Sequence, residues 1–140
     1  MITTPPRAVS AATPDGPPTE SGTPPALSWA QQRLWVLAQL DGAGIAYNEP
    51  MGFRLRGPLD RATLVRALDA LVARHETLRT RLVSAEGEPY QRIDPPDTGF
   101  ALAVEDLTSC QDVEARLSVR RREESFTPFD MSRGPLARGR

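Results

Sequence analysis

Arg74-His75-Glu76-Thr77-Leu78-Arg79-Thr80-Arg81 places the chain's only histidine among three arginines and a carboxylate. The stretch lies where an amphipathic helical pattern gives way to an alternating one, a junction at which side chains can be held rigidly. His75 is the side chain that titrates near neutrality and could serve as a general base. It also continues the apolar stripe of the preceding helix, so the sequence favours a structural, buried histidine over a base with access to substrate. Arg74 and Arg79 suit forked, two-point contact with a carboxylate. Nothing nearby completes a catalytic set: there is no second histidine, no serine–histidine–aspartate trio and no metal-ligand cluster. Cys110 is the one cysteine. It excludes an internal disulfide and, in Leu107–Asp112, it has no activating neighbour, so it reads as incidental.

The remaining composition narrows the classes. All 17 basic residues are arginine, which excludes lysine-dependent chemistry such as a phosphate-loop lysine or a Schiff base. A net charge of −1 gives no electrostatic case for nucleic acid or a membrane surface. No apolar run is long enough to span a bilayer, and the N-terminus lacks a secretory apolar core. A cytoplasmic location is the default expectation.

Two regions are expected. Residues 1–26 hold seven of the fourteen prolines and read as a disordered Pro/Thr-rich leader or linker. Order is expected from Leu27. Ser28 with Gln31 matches a capping box opening a helix from Trp29 to Leu40, with Trp29 and Trp35 as core anchors. Met51, Phe53 and Leu55 alternate with Gly52, Arg54 and Arg56, the pattern of a half-buried strand. Asp60 caps a helix to about His75. A hairpin follows, in which Leu78, Thr80 and Leu82 alternate with Arg79 and Arg81, the chain turns at Glu86-Gly87-Glu88, and Tyr90–Ile93 returns. Phe100–Val104 suggests another strand. Ser109 with Asp112 signals a cap for a helix to Phe126, on which Arg120 and Glu124 sit one turn apart. Leu136 begins a last strand.

Five phrases in register then carry a family likeness. Leu27-Ser28-Trp29-Ala30-Gln31-Gln32-Arg33-Leu34-Trp35-Val36-Leu37 resembles the first core motif of condensation domains of nonribosomal peptide synthetases. Arg74–Thr80 resembles their second. Ala46–Pro50, Leu55–Asp60 and Phe129–Leu136 are weaker features in the right order. The resemblance implies an α/β fold (α+β, two-layer), with residues 27–140 as the incomplete N-terminal lobe of a chloramphenicol-acetyltransferase-like architecture. It implies amide formation between substrates tethered to phosphopantetheine arms of carrier protein domains, with no cofactor bound by the chain itself. The implied partners are those carriers and the remaining part of the condensation domain.

The family's catalytic His-His-x-x-x-Asp-Gly motif is not in this sequence, and by the family's order it is expected beyond Arg140. No catalytic residue is therefore assigned, and condensation is not expected from this polypeptide alone. The resemblance points instead to motif residues Ser28, Gln31, Arg33, Arg74, His75 and Arg79. One arginine of the second motif pairs, by the same resemblance, with the aspartate of the absent motif. Arg79 is preferred and Arg74 second, because a strand position is more rigid than a fraying helix end. Arg33 could instead face the substrate tunnel, or be a surface charge. The alternative function is a non-catalytic module that binds a carrier protein or a complementary half-domain. A coenzyme A-dependent acyltransferase is a more distant one. Either way, half a lobe leaves sheet edges and an apolar face open, so an oligomeric or poorly soluble product is expected.

Overall fold

A computed structural model describes residues 25–40 and 43–140; the expectation of a leader over residues 1–26 lies outside these for all but Pro25 and Ala26. Those two are placed: the Gln91 amide donates to the Pro25 carbonyl (2.9 Å) and Ala26 bridges Tyr90. Helix α1 covers Trp29–Ala38, α2 Arg61–Arg74 and α3 Val113–Phe126. Strands are β1 (Thr80–Ala85), β2 (Glu88–Ile93), β3 (Ala101–Leu102) and β4 (Arg138–Gly139). Short 3-10 turns occupy Ala43–Tyr47, Glu76–Arg79 and Pro96–Thr98.

The helix starts form where side-chain oxygens satisfy free backbone donors. Ser28 and Gln31 make the reciprocal capping box: Gln31 N–H donates to Ser28 Oγ and Ser28 N–H to Gln31 Oε1. Asp60 Oδ1 accepts from the amides of Ala62 and Thr63. The Thr63 hydroxyl, which donates to the same carboxylate, helps hold Asp60 below its ordinary pKa. At α3 the cap is Asp112 itself, which accepts from Ala115 N–H. The expected Ser109 cap is thus replaced by one three residues later, the oxygen nearest the first free amides.

β1 and β2 form an antiparallel hairpin, Thr80 opposite Ile93 and Ala85 opposite Glu88. Glu86 (φ 53°) and Gly87 (φ 86°) make its two-residue turn, the pair of positive φ values that matches strand twist. β3 pairs in parallel with β4. The small core consists of Leu27, Val72, Leu82 and Val83, with Thr80 and Arg81 buried beside them. Four consecutive buried residues mean that β1 is covered on both faces over its first four positions, so that Arg81 is buried although it alternates with Thr80 and Leu82.

Four other expectations change. The stretch Met51–Arg56 is extended but forms no ladder: among the described residues the backbone of 49–57 makes no hydrogen bond. It is laid along α3 instead, with Asn48 Nδ2 donating to the carbonyls of Ser125 and Thr127 and Arg54 pairing with Glu114. Trp29 is 88% exposed rather than a core anchor, lining an open groove with Val36, Leu37 and Tyr47. His75 is exposed, not buried. It leaves helical geometry (φ −111°, ψ 102°) as the C-terminal cap of α2, so its side chain no longer follows the helix's apolar stripe. Arg79 ends a 3-10 turn, immediately before β1 rather than within it.

An ionic lattice joins α3 to the chain's C-terminal end. Glu105 receives Arg116 (2.7 Å) and Arg120 (2.6 Å), while Glu124 receives Arg138 and Arg140, both at 3.0 Å. Arg120 therefore pairs with Glu105 and Glu123 rather than with Glu124, which is drawn to β4. Hydrogen bonds from Arg120 and Arg116 hold the Glu105 carboxyl down at about 2, against about 4.3 in an unfolded chain. A depressed folded-state pKa contributes stability in full above about pH 4.5, and this is lost as the pH falls toward 2. Glu105→Gln is expected to flatten the acid limb of a plot of thermal midpoint against pH over that window. An unchanged limb would show that the lattice does not govern acid sensitivity.

Candidate functional site

The second arginine-rich phrase and the hairpin build one compact polar site. Asp94, the residue just after β2, sits across the ladder from Arg79, and its amide donates to the Arg79 carbonyl (2.9 Å). Its carboxylate is taken by Arg81: Nε lies 3.0 and 2.8 Å from the two oxygens and Nη2 2.7 Å from Oδ1. Arg81 Nη1 goes on to the Ser132 carbonyl (2.9 Å). With side chains 8% and 22% exposed, this is a largely desolvated pair.

The segment Phe129–Leu136 is shaped to receive it. Asp130 Oδ1 accepts from the Ser132 hydroxyl and from the amides of Ser132 and Arg133, an Asx-type turn. Those contacts, the Ser132 hydroxyl first, hold Asp130 below the usual carboxylate range. The turn delivers the Met131 carbonyl to the Leu82 amide (2.8 Å) and the Ser132 carbonyl to Arg81. Gly134 (φ 61°) lies against the Arg81 stem, where a Cβ would stand 3.1 Å from Cγ and Cδ. A Cβ there would be strained at this positive φ and would require the arginine stem to give by a few tenths of an ångström.

Arg79 is held less completely. Nη1 donates to the Asp94 carbonyl and Nη2 reaches Glu76 at 3.4 Å. Its side chain is only 10% exposed, and Nε has no partner, the one such buried side-chain polar atom among the described residues. A cavity of about 30 Å³ lies beside it, walled by Val72, Leu78, Thr98, Pro135 and Leu136, large enough for a water. Two arginines thus converge where one carboxylate, Asp94, is already engaged by Arg81. The carboxylate that Arg79 does contact is that of Glu76, which is itself exposed, and Nε is left unpartnered.

The first motif is connected to the same hairpin by a different route. Gln31 Nε2 donates to Gln91 Oε1 (2.9 Å), and Gln91 Nε2 donates to the Ala26 carbonyl (2.8 Å). Ser28 and Gln31 therefore dock α1 on β2. Arg33 points elsewhere, its Nη2 3.3 Å from the Tyr47 hydroxyl beside a shallow apolar groove that includes Trp29 and Val36. Arg74 is exposed and makes no side-chain hydrogen bond among the described residues. The six motif residues accordingly do not form one centre: Ser28 and Gln31 sit together, Arg79 belongs with Arg81 and Asp94, and Arg33, Arg74 and His75 stand apart. Cys110 directs its thiol to the Asp112 carbonyl, a helix-entry contact.

Arg81, Asp94 and Gln91 were missed from the sequence. The register offered a signal for Asp94, since a turn at Glu86-Gly87 sets it opposite Arg79. No local signal marks Arg81, because its burial comes from residues 129–135. Among the described residues no group of histidine, cysteine and carboxylate side chains is placed to hold a metal, and no helix is long and apolar enough to cross a membrane.

Comparison with known proteins decides what this scaffold is. The family model for the condensation domain matches residues 23–140. The chain belongs to the condensation-domain family. It is 43% identical over 122 residues to malpibaldin synthetase of Mortierella alpina, covering 87% of this chain and 2% of that protein. It is 38% identical over 122 residues to tyrocidine synthase 3 of Brevibacillus parabrevis, 87% of this chain and 2% of that one. Among solved structures it resembles the first condensation domain of the calcium-dependent antibiotic synthetase, with 31% identity and a TM-score of 0.63. That match covers 80% of this chain and 27% of the other. The chain therefore spans a small share of the length of each of these synthetases and about a quarter of that of a solved condensation-domain chain. Its mixed helices and strands are those of an incomplete lobe of the chloramphenicol-acetyltransferase-like fold that the sequence implied.

Proposed function

We propose that this chain is the opening part of a condensation domain that joins carrier-tethered aminoacyl or peptidyl thioesters into an amide. The observation that carries the reading is the family match over residues 23–140. The reacting histidines would come from a His-His-x-x-x-Asp-Gly segment outside this sequence, so these 140 residues serve as scaffold. The donor and acceptor would arrive on phosphopantetheine arms of carrier domains, and the complementary part of the domain would be the structural partner. The chain's contribution is positional. Desolvated Arg79, with an unpartnered Nε, is suited to receive the aspartate of that segment through a forked contact in which Nη2 exchanges its long contact to exposed Glu76 for the incoming carboxylate. Such a contact would fix the loop bearing the base, and misplacing a reacting group by about 1 Å can cost on the order of 10²-fold in rate.

The test joins residues 25–140 to the complementary part of a homologous condensation domain and supplies two loaded carrier proteins. Dipeptidyl thioester on the acceptor carrier is the expected product, detected by mass spectrometry, with none from the 140-residue chain alone. A folded, joined domain that binds both carriers yet forms no peptide would overturn the reading.

A further inference from the structure

Asp94 directs each of its polar groups to the two covered arginines. Its amide donates to the Arg79 carbonyl (2.9 Å), and its own carbonyl accepts from Arg79 Nη1. One residue thus grips Arg79 at both backbone and tip. The Asp94 carboxylate is taken by Nε and Nη2 of Arg81 at 2.7 to 3.0 Å, and Arg81 is anchored beyond it on the Ser132 carbonyl (2.9 Å). Pro95 follows directly and biases Asp94 toward extended backbone, which restricts where that carbonyl can aim. The other hold on the Arg79 tip is weaker: Nη2 reaches Glu76 at 3.4 Å, and the Glu76 side chain is 64% exposed.

We infer that Asp94 is a positioning residue for amide formation: clamped by Arg81, it aims the Arg79 guanidinium at the place where the motif aspartate is received. The inference rests on the proposed role of Arg79 and adds to it the residue that sets the angle of the fork. A two-point contact needs the guanidinium held in one plane at the end of a flexible stem, and that takes a neighbour whose own rotamer is locked. Asp94 is such a neighbour, and it touches neither substrate nor the reacting atoms. Asparagine in its place turns one of the two acceptor oxygens into a donor that faces guanidinium donors. The side chain must then turn, and it carries the main-chain carbonyl off Nη1. The clamp lies within residues 76–132, and every link in it is a contact that is made.

Nitrogen-15 labelling of the arginines in the 140-residue chain reads the grip without any reaction. Rotation of the Arg79 guanidinium is expected to be slow enough to give separate Nη1 and Nη2 signals, identified by their loss in Arg79→Lys. In Asp94→Asn they are expected to merge. Arg81→Lys keeps the charge but not the fork; it is expected to merge them too, and it serves should Asp94→Asn fail to fold by circular dichroism. In the joined domain with loaded carriers, Asp94→Asn is expected to lower kcat about tenfold with KM for either carrier unchanged. Once Arg79 is alanine, the same substitution is expected to cause no further loss. Losses that multiply, as for two independent structural defects, overturn the inference. So do Nη signals that are merged in the parent or stay separate in Asp94→Asn. A rate that survives Arg79→Ala refutes instead the loop-holding role of Arg79, and with it the place of Asp94 in the reaction, while the spectra still report the grip; the two failures are thereby told apart.

Discussion

Arg81→Ala is expected to destabilise the chain by about 3–5 kcal/mol, the cost of leaving one member of a buried ion pair unpartnered. Three features place the pair in that class. Both side chains are well covered, three guanidinium–carboxylate contacts lie at or below 3.0 Å, and the remaining Nη1 is satisfied by Ser132. Removing Arg81 also loosens the segment Phe129–Leu136, whose Ser132 carbonyl loses its donor while the Met131 carbonyl keeps the Leu82 amide. Total stability of a small domain is itself about 5–15 kcal/mol, and the alanine variant could unfold outright. Arg81→Lys keeps the charge but loses the fork, and should fall between the alanine variant and the parent. Urea midpoints for Arg81→Lys, Asp94→Asn and the double variant form a cycle, with coupling above about 1 kcal/mol expected. Coupling near zero would place the pair with exposed ion pairs.

Arg79→Ala, in the joined domain described above, is expected to lower peptide formation about 10²-fold, while Arg74→Ala leaves it near the parent's rate. The difference follows from placement: Arg79 is nine-tenths covered with an unpartnered Nε, whereas Arg74 stands in solvent at the end of α2. Arg79→Lys is expected not to restore the rate, because an ammonium cannot make the two-point contact. Melting temperatures of the same samples separate loss of positioning from loss of fold. Equal losses in the Arg74 and Arg79 variants, or rescue by lysine, would remove Arg79 from the role.

How far the sequence could be read depended on how far apart the interacting residues are. Ser28 with Gln31 and Asp60 with Ala62 and Thr63 were legible because a cap acts across one turn. The hairpin was legible because Glu86-Gly87 supplies the positive φ values that set its register. The condensation-family likeness was legible too, because its phrases are contiguous. Alternation could assign the side chains of β1 to two faces but could not say that both are covered, so the buried place of Arg81 was not legible. His75 and Trp29 differ for a related reason: an apolar stripe does not reveal where a helix ends or which of its faces the rest of the chain covers.

By itself, then, the sequence determined the helices, the hairpin, the family and the lack of a catalytic histidine pair. Each of these rests on residue identity or on contacts within a few positions. Only tertiary structure decided that Asp94 belongs to Arg81, that Arg79 keeps an unpartnered donor and that Met51–Leu55 joins no ladder among the described residues. Those outcomes hinge on segments about 15 to 80 residues apart in the chain being brought together. Desolvation and pairing are properties of that assembled neighbourhood, and no local pattern encodes them.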